Sequence, residues 1–224
     1  MDEENHLKFK QSVFIIPTLF VVAIWFIYWV EIKFGFNFNK FGVYPRTLKG
    51  LRGVFCTHFI HSNTNHLFNN SIPLFVLLSS LFYFYKDVAY RVLLFGAFFT
   101  GFFTWIIARD SYHIGASGVV YLLFSFVFFS GIIRKHYRLV ALSLIIIFLY
   151  GSMIWYVLPI KDGMSWEGHL SGFLVGLILA VIHRKKGITA KEHQFTQTEF
   201  DTYFDELGNF NPPKVEEEIE KDSE

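Results

Sequence analysis

Gly115-Ala116-Ser117-Gly118 is a small-residue turn that opens an apolar run from Val119 to Ile133. The serine hydroxyl in such a turn has little steric cover. Its backbone N–H lies at a helix N-terminus, where N–H groups have no intrahelical partner and favour negative charge. That place suits a nucleophile whose product is an oxyanion. Small residues also let membrane helices approach closely, and by itself the turn reads first as a packing feature. What turns the reading toward chemistry is the rest of the chain. His66, Asn70 and His169 occupy matching places at the starts of two other apolar segments.

Hydrophobic residues make up 53% of the 224 residues and aromatics 20%, and they come in blocks rather than at amphipathic spacing. This composition describes an all-α polytopic membrane protein rather than two soluble domains. The spans read as Val13 to Val30, His66 to Tyr85, Val88 to Ile107, the run opened by Ser117 and ending at Arg134-Lys135, Leu139 to Leu158, and Gly168 to Ile182. The first run is too long and continuous for a signal-peptide core, and it reads as a retained span. Residues 1–12 form a polar N-terminus, 13–186 the six-helix domain, and 187–224 an acidic tail with Pro212-Pro213 and Glu216-Glu217-Glu218. Within the tail, the aromatic cluster from Phe195 to Phe210 leaves room for a small helix. The long first connection, residues 31–65, has apolar content of its own (Leu48, Leu51, Val54, Phe55) and is expected to form short interfacial helices.

Lysine and arginine concentrate in alternate short loops: Lys86/Arg91, Arg134/Lys135/Arg138 and Arg184/Lys185/Lys186. The positive-inside rule then puts both termini in the cytoplasm, with the basic first loop as the opposing signal. The net charge of +1 argues for no nucleic-acid partner. Cys56 is the only cysteine, so no internal disulfide forms. His58, His61 and His66 lack regular ligand spacing and clustered carboxylates, so neither a metal nor another cofactor is expected.

With this topology the second, fourth and sixth spans run in the same direction. At 1.5 Å per residue from their charged ends, Asn70, Ser117 and His169 stand at roughly 24, 25 and 22 Å, and His66 one turn higher at roughly 30 Å. Polar groups at one depth in a bilayer are costly unless they face each other or a wet hollow. Neutral His169 is a base with a suitable pKa for a serine hydroxyl. No carboxylate matches that depth, which gives a Ser117–His169 dyad rather than a triad. His66 and Asn70 lie at i and i+4 on one face. With the Ser117 N–H they can bind an oxyanion. Tyr121, one turn below Ser117, can pack on the His169 ring.

Gly115-Ala116-Ser117-Gly118 with Tyr121, His66-x-x-x-Asn70, and His169-x-x-Gly172-x-x-x-Gly176 together resemble the rhomboid family of intramembrane serine proteases, over residues Phe14 to about Ile182. The resemblance implies a six-span rhomboid-like bundle. It implies Ser117 as nucleophile, His169 as general base, and His66 and Asn70 as oxyanion side chains. Gly172 and Gly176 would be the small residues that admit the sixth helix to the fourth. It also implies a membrane-protein substrate cut near or within its transmembrane segment, in a bacterial inner membrane. Leu51-Arg52 stands where many members carry Trp-Arg, which leaves the shape of the first loop open. Two other readings stay on the page. A non-catalytic relative would bind membrane helices, but such proteins usually lack the serine or the base. A small transporter would continue its polar residues across the membrane, whereas the far halves of these spans are Phe, Leu, Val and Ile. Substrate identity, oligomeric state and the role of the tail are not written in the sequence.

Overall fold

The computed structural model describes residues 7–190 and 198–211, so residues 1–6 of the polar N-terminus and the acidic run at 216–218 lie outside the described residues. The described chain is helical, with α1 at Ser12–Phe34, short turns α2 at Leu48–Leu51 and α3 at Gly53–Cys56, α4 at Thr64–Phe84, α5 at Ala89–Ile107, α6 at Ser117–Arg134, α7 at Tyr137–Tyr150 and α8 at Trp166–Ile182. Among the described residues, five helical stretches are long and apolar enough to cross a membrane, and α8 is a shorter apolar helix beside them. Apolar side chains such as Phe26, Leu94 and Phe148 point outward around the bundle. In a bundle of this hydropathy they form the surface that lipid covers.

The middle of the bundle is α6, buried on nearly every side and packed against α4, α5, α7 and α8. Its tightest neighbour is α8, and glycine is the reason. A Cβ on Gly172 would collide with the Gly118 carbonyl, and one on Gly176 would collide with the Leu122 carbonyl. Backbone meets backbone there, as small-xxx-small patterns permit in membranes. Ser125 adds a bond across the same seam, its hydroxyl donating to the Phe173 carbonyl at 2.7 Å. By contrast α1 and α7 are peripheral. Only Val13, Pro17 and Ile24 of α1 are buried; it is held to α4 partly by the Trp25 indole N–H donating to the Ser71 hydroxyl at 2.9 Å.

Several element ends differ from the expected ones, each for a local reason. The second span opens at Thr64 rather than His66, because Asn63 caps it: its side-chain oxygen accepts the His66 N–H at 2.8 Å. The expected fifth span, Leu139 to Leu158, is an α-helix only to Tyr150; Gly151–Val157 tightens into a 3₁₀ segment. The sixth begins at Trp166, so Glu167 sits in the first turn of a helix and is buried rather than lying in an open loop. His113 and His136, which lie outside the expected spans, are buried too. Arg134 is not a loop charge: its guanidinium is buried over the Tyr85 ring and donates to the His183 carbonyl at 3.0 Å.

The first loop folds as short turns. Gly50 and Gly53 press against the backbone of Tyr44 and Gly42, and Gly101 of α5 against Val54. Arg52 acts inside this loop, stacking on Phe41 at 4.5 Å and donating to the Lys40 carbonyl at 2.9 Å. Leu48 and Phe55 stay exposed, as expected of an interfacial element.

The chain after α8 returns to the bundle: Ile188 is buried and the Ala190 N–H donates to the Arg134 carbonyl at 3.1 Å. A second compact unit begins at Lys191. Its described part is a 3₁₀ turn at Glu199–Tyr203 with a Thr198/Asp201 capping box, followed by an isolated bridge between Phe204 and Phe210. Residues 195–197 of the aromatic cluster lie outside the described residues.

Candidate active site

The Ser117 turn is held from behind by the first loop. The Gly115 N–H donates to the Thr57 carbonyl at 3.0 Å, and the Ala116 N–H to His61 Nε2 at 3.3 Å. One step back, His113 and Val43 exchange both backbone bonds, and the Thr57 hydroxyl donates to the His113 carbonyl at 2.7 Å. Accepting an N–H requires an unprotonated Nε2 on His61. Burial keeps that ring neutral by pushing its pKa down to about 4, helped by the nearby His66. His58, buried in the same loop with a ring nitrogen 3.0 Å from the Ala97 carbonyl, is likewise pushed down to about 4 by desolvation. Both histidines hold backbone groups of neighbouring segments.

Ser117 is the first residue of α6, and its Oγ lies 2.9 Å from His169 Nε2. The other ring nitrogen, Nδ1, is 2.8 Å from the Tyr156 carbonyl. A carbonyl only accepts, so Nδ1 carries the proton and Nε2 presents a lone pair to the serine hydroxyl. The Tyr121 ring stacks on the imidazole with centroids 4.2 Å apart and planes 10° from parallel. The Tyr121 hydroxyl donates to the Met153 carbonyl at 2.8 Å. Both groups that orient His169 therefore rest on the 3₁₀ segment after α7.

His66 and Asn70 converge on the same turn. A Cβ placed on Gly115 would stand 2.7 Å from His66 Nε2 and 3.7 Å from Asn70 Nδ2. Gly115 has φ +116°, a backbone region that side chains rarely enter. Its missing side chain leaves open the space toward which both nitrogens point. Asn70 Nδ2 is buried and makes no hydrogen bond to the protein. The orientation of His66 follows from its neighbours. Asn63 Oδ1 takes the His66 N–H, which fixes that amide, so Asn63 Nδ2 donates to the Ser62 hydroxyl at 3.1 Å. The Ser62 hydroxyl lies 3.2 Å from His66 Nδ1, which tethers the ring at that nitrogen and presents Nε2 toward Gly115. Sequence reading missed Ser62 and Asn63. The signal was there as an N-cap asparagine three residues before the histidine.

A hollow of about 710 Å³ opens onto these groups, lined by His66, Asn70, Ser117, Tyr121, Met153 and His169, with Tyr112 and Lys161 to Ser165 on its wall. On the other side of Ser117 is a chamber of about 20 Å³ lined by Thr57, Thr100, Thr104, His113 and Ser165. That is about the space one water needs, among polar side chains that can bond it. Ser117, His169, His66, Asn70, Tyr121 and Gly115 thus share one site. Gly118, Gly172 and Gly176 form the seam beneath it. The arrangement provides a hydroxyl facing a base, and two side-chain nitrogens, His66 Nε2 and Asn70 Nδ2, beside a neighbouring space.

Outward-facing apolar helices around a hollow that holds serine, histidine and asparagine side chains define an integral, multi-pass membrane protein. A family model, the Rhomboid domain, matches residues 49–186, and the chain belongs to the rhomboid family. The match begins inside the first loop, so α1 precedes it. The chain is 30% identical over 178 residues to uncharacterized proteins of Mycobacterium bovis and Mycobacterium tuberculosis, covering 73% of this chain and 72% of theirs. It is 31% identical over 147 residues to an uncharacterized protein of Mycobacterium leprae, covering 59% of this chain and 56% of that one.

Proposed function

We propose that this rhomboid is an intramembrane serine endopeptidase that cuts transmembrane or membrane-anchored proteins. The observation that carries the reading is the contact of Ser117 Oγ with an imidazole whose tautomer is set by the Tyr156 carbonyl. In this mechanism His169 Nε2 takes the serine proton as Oγ attacks the scissile carbonyl carbon. The carbonyl oxygen becomes an oxyanion bonded by His66 Nε2–H, Asn70 Nδ2–H and the Ser117 N–H. His169 then passes its proton to the leaving amine, the C–N bond breaks, and the acyl group stays on Ser117 as an ester. A water gives its proton to His169 and attacks the ester; collapse returns a proton to Oγ and releases the acid. The hollow admits the peptide from one side, and the small chamber supplies a place for water on the other.

The family and the multi-pass helices support residence in a bilayer. The loop charges support a topology with both termini in the cytoplasm, and the mycobacterial relatives support a bacterial cell membrane. In this reading residues 13–186 are the protease domain, flanked by a cytoplasmic N-terminus and the acidic tail.

The test is covalent labelling of the detergent-purified protein with a fluorophosphonate. Wild type should label and Ser117→Ala should not. A folded wild type that stays unlabelled, while an active rhomboid reacts in parallel, would favour a helix-binding protein without catalysis. The same assay checks the oxyanion space. Gly115→Ala should label at least about 100-fold more slowly, since its methyl occupies the space the oxyanion needs. Gly35→Ala has φ +64° and open space around it, and should label at the wild-type rate.

A further inference from the structure

Glu167 is a carboxylate buried in the first turn of α8, two residues before His169, with 1% of its surface exposed. Such a group is expensive in a membrane-embedded bundle unless it is paired. The mechanism above does not use it, since Nδ1 of His169 is committed to the Tyr156 carbonyl. Its contacts run instead to the loop that leads into the serine turn. Oε1 accepts the Arg109 N–H at 3.2 Å and lies 3.6 Å from the Arg109 guanidinium. Oε2 has no hydrogen-bond partner and stands 3.9 Å from His113 Nδ1.

Two more bonds close the same gap. The Arg109 guanidinium donates to the Met164 carbonyl at 2.6 Å, and His113 Nδ1 pairs with the Ser165 hydroxyl at 2.7 Å. The His169 N–H in turn donates to the Ser165 carbonyl at 3.2 Å. The same loop is fixed to the first loop by the Arg46–Asp110 ion pair and by the Val43–His113 bridge. The chain therefore closes a ring from Ser117 back through residues 109–113, across to Glu167, along α8 to His169, and over to Ser117 Oγ. The glycine seam fixes how closely α6 and α8 approach below this ring; it does not fix the loop that aims the serine turn. A contact between a buried carboxylate and a half-exposed arginine adds little stability, but it ties the loop to the start of α8.

We propose that Glu167, through Arg109 and His113, is a positioning residue that fixes the serine turn against the His169 helix. The inference rests on the Ser117–His169 pairing of the proposed function, but its test needs no hydrolysis. In a Cys56→Ser, Ser117→Cys protein the only thiol faces His169 Nε2. A neighbouring imidazole lowers a thiol's apparent pKa, so the pH profile of its alkylation by iodoacetamide reports the pairing.

In this parent, alkylation should persist well below the usual thiol range. Glu167→Ala should move the profile up toward an ordinary thiol and slow alkylation at pH 6 by at least about 10-fold. Glu167→Gln keeps an acceptor for the Arg109 N–H and should stay within about 3-fold of the parent. Arg109→Gln breaks the cluster from the other side, should shift the profile in the same direction as Glu167→Ala, and serves if the alanine variant does not fold. An unshifted profile in folded Glu167→Ala or Arg109→Gln overturns the proposal, as does an ordinary thiol profile in the parent. Absent fluorophosphonate labelling of wild type alongside a depressed thiol profile would remove the protease reading and leave the clamp standing.

Discussion

Cleavage of a single-span reporter in proteoliposomes should fall by at least about 10³-fold in His169→Ala. The size follows from how completely the structure commits this ring. One nitrogen is bonded to the Tyr156 carbonyl, the other faces Ser117 Oγ, and one face is covered by Tyr121. No described carboxylate is hydrogen-bonded to either ring nitrogen, and Glu167 is engaged with Arg109. A hydroxyl without its base is a weak nucleophile at neutral pH. Residues that act as one unit are non-additive, so the double variant with Ser117→Ala should be no slower than the slower single variant. Product formation followed over hours by gel densitometry resolves the range. Near-wild-type cleavage by His169→Ala would end the assignment of this histidine as the base.

The second large effect is on the fold. Gly172→Val should lower the thermal midpoint in detergent by roughly 6–12 °C, corresponding to about 3 kcal/mol of overpacking in a chain of this size. The first added carbon lands on the Gly118 carbonyl and beside the Leu122 N–H. Neither is a flexible side chain that can swing away, so α6 and α8 must separate. Ser117 immediately precedes Gly118, and His169 lies one turn before Gly172, so the same separation pulls the pair apart and should abolish labelling. Ile178→Val on the lipid-facing side of α8, where Ile178 is 51% exposed, should change the midpoint by only a degree or two. Equal midpoints for the two variants would show that the seam is looser than described.

The parts legible in the sequence share a property: each is local. The apolar runs, the small residues of the serine turn and the i, i+4 pair of His66 and Asn70 are patterns within a single helix. Counting residues along three helices was enough to bring Ser117, His169 and Asn70 to one depth, because the rise per residue is fixed. Where the reading slipped, the cause was a partner from elsewhere. Gly151 does not announce a 3₁₀ segment, since the choice between α and 3₁₀ at a helix end depends on what the freed carbonyls meet. Here they meet Tyr121 and His169. His113 has the surroundings of a loop residue in sequence, yet it is buried because Val43, Thr57 and Ser165 close on it from three different segments. Glu167 falls just outside the span expected from Gly168, yet it is buried against partners, Arg109 and His113, that lie more than fifty residues away.

By itself, then, the sequence determined the class of protein, the spans and the residues able to do chemistry, because hydropathy, helix rise and side-chain type are properties of the chain at each point. Only the tertiary structure decided which nitrogen of His61 and of His169 accepts, what holds the serine turn and why a carboxylate is buried beside it. Those depend on backbone carbonyls and N–H groups supplied by distant segments, and backbone groups are the same in every residue, so no pattern of side chains records where they point.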